Sequence, residues 1–165
     1  MLSSLRTTFE NIAEDSQTWT WTLFRVLAST MFMTHGYGKL FGDNPQPFRG
    51  GGLTTVNIGE LISFPMPLEI NALFFAGSVE FFGGLLLALG LWTQLVALLA
   101  AFLMLMAYLN SHFAWFPTLN RGELAAMYTI SYLILFAYGG GPYSLDTWRE
   151  TRRQEKLESY RSANG

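Results

Sequence analysis

The chain has 165 residues, half of them hydrophobic and only 13% charged, with a formal net charge of −2. That length suits one domain, and the charge gives no footing for a nucleic-acid partner. The absence of cysteine excludes a disulfide framework, a thiol relay, a Cys-ligated zinc or iron–sulfur site and covalent c-type haem.

Residues 1–18 place Leu2, Leu5, Phe9 and Ile12 at helical spacing, with Glu10, Glu14 and Asp15 elsewhere. This predicts a short amphipathic helix lying on a membrane surface. The segment lacks the basic start and apolar core of a secretory signal. Residues 19–146 read as the membrane domain, and 147–165 as a basic tail.

Four apolar segments follow in order: residues 19–41, 69–91, 94–116 and Glu123–Tyr138. A helix needs about 20 residues to cross the hydrocarbon. Backbone in lipid must satisfy its own hydrogen bonds, which leaves helices or closed barrels. Continuous apolar runs without alternation exclude a barrel. The expected fold is therefore all-α, an up-and-down bundle of four transmembrane helices.

Trp92-Thr93 is a tight turn, so the second and third helices should be antiparallel neighbours. The first connection, residues 42–68, is long and holds Pro45, Pro47, glycines 50–52, Pro65 and Pro67. Leu53, Val56, Glu60 and Leu61 predict a short helix within it, lying over the bundle mouth. Five of the ten basic residues are in the tail: Arg149, Arg152, Arg153, Lys156 and Arg161. The bias of Lys and Arg toward the inside predicts that both termini are cytoplasmic.

The candidate functional residues are the ionisable groups at membrane depth. They are expensive there and are tolerated when paired or facing a protein interior. On the first helix, Arg25, Ser29, His35 and Lys39 share an arc of about 120°. On the second, Glu80 shares its face with Ala76, Gly83 and Gly84, small residues that admit a neighbouring helix. From the rise per residue, Arg25 lies about 9 Å below Glu80 and His35 about 6 Å above it. Glu80 is thus expected to accept from both. A second cluster of Lys39, Asn110, His112, Glu123 and Glu69 is expected near the outer end, with Lys39–Glu123 and Lys39–Glu69 as candidate pairs. A lone buried pair can also serve only to fix helix register. His35 and His112, the two histidines, are the candidates for bis-His haem ligation, and neither is at mid-membrane. No metal site is expected.

These residues carry a resemblance. Arg25, the run His35-Gly36-Tyr37-Gly38-Lys39-Leu40-Phe41, Glu80 with Gly83-Gly84-Leu85-Leu86-Leu87, Gly90-Leu91, Met104, Ala107 and Glu123 stand in one order. Gly139-Gly140-Gly141-Pro142-Tyr143-Ser144-Leu145-Asp146 closes it. Over about residues 20–147 the chain resembles the DoxX family of small four-helix membrane proteins. The resemblance implies the cytoplasmic (inner) membrane of a bacterium or archaeon. It also implies a subunit of, or partner to, a membrane redox system, as in relatives described as parts of thiosulfate:quinone oxidoreductases. A quinone or lipid-like ligand would suit the cluster. Glu80 and His35 would relay protons, with Arg25, Lys39, Ser29, Asn110 and Glu123 binding. Electrons would come from a partner subunit, since the chain carries no evident electron-carrying cofactor of its own. Beyond the bilayer, the expected partners are membrane or redox subunits or further copies of the chain. The alternatives are a non-enzymatic accessory subunit and, further off, a small permease.

Overall fold

The computed structural model describes residues 2–59 and 61–164, without the side chains of residues 2–4, 7 and 164. Leu2's side chain and Glu60, both used in the sequence reading, lie outside the described residues. The elements in order are α1 (Leu2–Phe41), β1 (Thr55–Ile58), β2 (Ile62–Pro65), α2 (Ala72–Leu89), α3 (Thr93–Ser111), α4 (Glu123–Tyr138) and α5 (Leu145–Asn164). Two of these, α2 and α3, are by length and composition apolar enough to cross a membrane. Helix α4 is apolar but shorter.

Helix α1 runs forty residues without interruption. The expected surface segment therefore has no break separating it from the apolar run at Trp19. No glycine or proline occurs before Gly36, so nothing stops the hydrogen-bond ladder between them. Leu5, Phe9 and Ile12 are exposed along this extension.

Helix α2 begins at Asn71, whose side chain accepts from the amide of Leu73 at 3.0 Å. Asn71 is wholly buried. It also accepts from Leu53 N and donates to Gln46 Oε1 and Pro47 O, tying the long loop to the helix start. Midway, Val79–Gly83 forms a π turn. The glycines Gly83 and Gly84 give the backbone freedom for the wider turn.

The long first connection contains an antiparallel hairpin, β1 with β2, where a short helix was expected. The residues explain the correction. Thr54, Thr55, Val56, Ile58 and Ile62 are β-branched and favour a pleated backbone. Gly59 supplies the left-handed turn position at φ 57°. The hairpin is anchored to the end of α3, since Gly59 N donates to Leu109 O and Asn57 N to Asn110 Oδ1. It lies at the C-terminal end of α3.

The core comprises Phe32, Leu87, Val96, Ala97, Ala100, Ala101, Met104, Tyr128, Tyr132 and Leu135. Helix α1 packs on α2 through glycines. A Cβ at Gly84 would meet Ser29 O at 2.8 Å, and one at Gly77 would meet Lys39 Cβ at 2.9 Å. Backbones that approach this closely gain contact where apolar lipid gives no hydrophobic drive.

At the other end, the segment from Gly139 to Asp146 knots the elements together. Trp21 Nε1 donates to Gly139 O at 3.2 Å and Arg25 Nη2 to Tyr143 O at 2.7 Å. The Asp146 carboxylate accepts from Trp92 N, Thr93 N and Thr93 Oγ1, capping the start of α3. Burial alone would raise the Asp146 pKa. The hydrogen bonds from Thr93 and Trp92, with nearby Arg149, outweigh it and hold the carboxyl below its ordinary range. A depressed folded pKa means that the stabilisation is present above the unfolded value and is lost as pH falls through the folded one. Asp146→Ala should cost about 1–2 kcal/mol, the usual worth of a cap. Its thermal unfolding should lose the acid-side destabilisation that the parent shows below about pH 4.

Candidate functional site

Gly36 on α1 sets the site. A Cβ there would lie 2.6 Å from Gly77 O and 2.9 Å from Glu80 C, so the two backbones touch with Gly36 level with Glu80. Lys39 stands one turn further along the same face of α1. Its ammonium reaches both carboxylate oxygens of Glu80, each at 2.5 Å. Glu80 belongs to the π turn and is 2% exposed. The Lys39 side chain keeps 30% of its surface exposed, against 3% for Glu80. The pair is thus sealed on the carboxylate side and open on the ammonium side.

Four aromatic groups, His35 and Phe32 of α1 and Tyr128 and Tyr132 of α4, complete the surroundings. His35 is exposed and sits edge-on to the Tyr128 ring, with centroids 6.2 Å apart. Tyr128 and Tyr132, one turn apart on α4, stack at 5.7 Å, and Phe32 packs on both. Tyr132 donates to Ala28 O at 3.3 Å. The buried Tyr128 hydroxyl has no hydrogen-bond partner among the described residues. A buried hydroxyl left unpaired costs about 1–3 kcal/mol, a cost that a polar ligand or a water can remove.

The expected residues therefore sort differently from the sequence reading. Glu80, Lys39 and His35 come together. Arg25 does not join them. It is level with Gly90, where any Cβ would overlap its guanidinium, and it belongs to the knot at the other end. Ser29 is buried between the two sites, and among the described residues its hydroxyl has no hydrogen-bond partner, nor have Nε and Nη1 of Arg25. Lys39 pairs with neither Glu123 nor Glu69, both of which are exposed. Asn110 holds the hairpin, and His112 Nδ1 contacts Asn120 O at 2.9 Å. No cluster of three or more potential metal ligands occurs among the described residues.

Tyr128, Tyr132 and Asn71 were missed in the sequence. The tyrosines could have been found by their spacing, which puts two hydroxyls on one face of an otherwise apolar helix. Asn71 stands just before an apolar periodic run, the position of an N-cap.

Long apolar helices packed through glycines around a buried ion pair define a helical integral membrane protein. The sequence pattern of the DoxX family matches residues 20–116, and the chain belongs to that family. An uncharacterized protein of Haemophilus influenzae is 33% identical over 127 residues, which cover 74% of this chain and 84% of that protein. No solved structure matches.

Proposed function

We propose that this protein is a membrane subunit of a redox system that holds a quinone, or a lipid-like carbonyl compound, beside Lys39, Glu80, His35 and Tyr128. In this reading α1 from Trp19 onward, α2, α3 and α4 all cross the cytoplasmic membrane, with both termini inside. The Lys39–Glu80 pair carries the proposal. It is a charged centre in the bundle, formed at a π turn, and such turns recur at functional sites. One turn before Lys39, His35 sits edge-on to Tyr128, whose buried hydroxyl has no hydrogen-bond partner among the described residues.

Reduction of a quinone to a quinol takes up two electrons and two protons. Lys39 and Tyr128 are suited to donate hydrogen bonds to a carbonyl oxygen. Glu80 and His35 are suited to pass protons to it. The electrons come from a partner subunit. Proximity to an ammonium and a phenol in an apolar setting favours the charge that develops on the carbonyl oxygens.

The test is binding of a short-tailed ubiquinone to the protein in nanodiscs. Glu80→Gln should weaken it about 10–100-fold, the worth of a lost charged hydrogen bond. Its unfolding temperature should change little, since the amide still accepts from Lys39. Retention no better than in empty nanodiscs, or equal binding by Glu80→Gln, would overturn the reading. The close packing at Gly36 favours a second one, in which the pair only locks α1 against α2 for an accessory subunit. In that case Lys39→Leu combined with Glu80→Leu keeps full function.

A further inference from the structure

Helix α5 holds a feature that the ion-pair centre does not use. From Thr147 to Ala163 every residue is exposed. At 100° per residue, Arg149, Arg152, Arg153 and Lys156 fall within an arc of about 100°. Trp148 flanks this arc and lies 5.5 Å from the Arg152 guanidinium. These five residues line one shallow open hollow. Leu145 shares the side, while Glu150, Gln154, Glu158 and the fifth basic residue of the tail, Arg161, fall opposite. Among the described residues, none of the four cations makes an ion pair.

The root of α5 is fixed at the level of the interfacial aromatics. Asp146 N donates to Gly90 O, and the Asp146 carboxylate binds the Trp92-Thr93 turn. Tyr143, just before the helix, stacks on Trp19 with centroids 4.8 Å apart. At 1.5 Å per residue, Arg149 is about 5 Å and Lys156 about 15 Å from that root. Lying along the surface, the helix keeps all four cations at the headgroup layer, and even upright it keeps Arg149, Arg152 and Arg153 within about one Debye length, roughly 10 Å, of it. A basic stripe edged by tryptophan, with carboxylates on the far face, has the composition of a helix that lies on anionic lipid.

We infer that the basic face of α5 is a docking surface for the anionic phospholipid headgroups of the adjoining leaflet. Docking would lay α5 flat against the membrane, and the clamp at Asp146 would pass its position on to the turn between α2 and α3.

Because the chain has no cysteine, single-cysteine spin labels report α5 cleanly. Ser159→Cys falls on the basic side and Gln154→Cys on the far side. Each is measured in the full-length protein in nanodiscs, by accessibility to a water-soluble nickel chelate. With about one third phosphatidylglycerol, the label at 159 should be protected and that at 154 should stay accessible. In pure phosphatidylcholine both should be accessible. Each of Arg149→Gln, Arg152→Gln, Arg153→Gln and Lys156→Gln should lower the docked-to-free ratio about fivefold, and the four together should abolish protection. Three results would overturn the inference: equal accessibility in the two lipids, protection already present in pure phosphatidylcholine, and protection that survives the fourfold variant. Release by inorganic phosphate beyond that caused by chloride of equal ionic strength would point to a free-phosphate site instead, and would also overturn it.

Discussion

Replacing Lys39 by leucine should destabilise the folded protein by about 3–5 kcal/mol, the cost of leaving a buried charge without its partner. Glu80 is 2% exposed, and Lys39 is the cation that reaches its carboxylate. With Lys39 gone the carboxylate must stay charged in an apolar setting or take up a proton, and either outcome costs stability. The opposite single change should be milder. Glu80→Leu strands an ammonium whose side chain is 30% exposed, on a flexible stem able to turn toward water or headgroups. Changing both to leucine should recover most of the loss, because apolar bulk replaces a pair whose desolvation offsets its attraction. Thermal unfolding of the four proteins in detergent gives the order. Lys39→Leu as stable as the parent, with Glu80 unprotonated, would mean that the pair does not form.

The apolar segments, the tight turn at Trp92-Thr93 and the polar residues of the site were legible in the sequence. Their hydrophobicity and charge are properties of single positions. What was not legible is the register between α1 and α2. Depths taken from the rise per residue set Glu80 between Arg25 and His35. The glycine contacts instead set Gly36 level with Glu80 and Met33 level with Gly84. That is a slide of more than one turn, enough to replace Arg25 by Lys39 as the partner. Register depends on where two surfaces fit closest, and no single position states it. The π turn is equally illegible, since Val79–Gly83 reads as part of an ordinary apolar helix. The hairpin was misread because Leu53, Val56 and Leu61 suit a helical spacing by chance. The β-branched residues around them decide otherwise. Helix α5 was read only as charge, although four of its five basic residues already share one side at helical period.

Gly36 and Gly38 lie two residues apart, and substitution should separate them sharply. A Cβ at Gly36 would overlap Phe81 N and lie 2.6 Å from Gly77 O. The three atoms nearest to it are all backbone, so side-chain rotation cannot relieve the overlap. Gly36→Ala should therefore force α1 and α2 apart, at about 1–3 kcal/mol for overpacking, partly offset by alanine's better helix propensity. A Cβ at Gly38 would meet nothing within 4 Å. Gly38→Ala should thus be neutral or stabilising by up to about 1 kcal/mol, because it removes only unfolded-chain freedom. The functional consequence follows from geometry. Lys39 reaches Glu80 only while the two backbones touch at Gly36, so separation lengthens the ion pair and opens the carboxylate to its surroundings. Gly36→Ala should lower both the unfolding temperature and ubiquinone retention in nanodiscs, and Gly38→Ala should lower neither. If the two variants unfold and bind alike, helix approach at Gly36 does not hold the site.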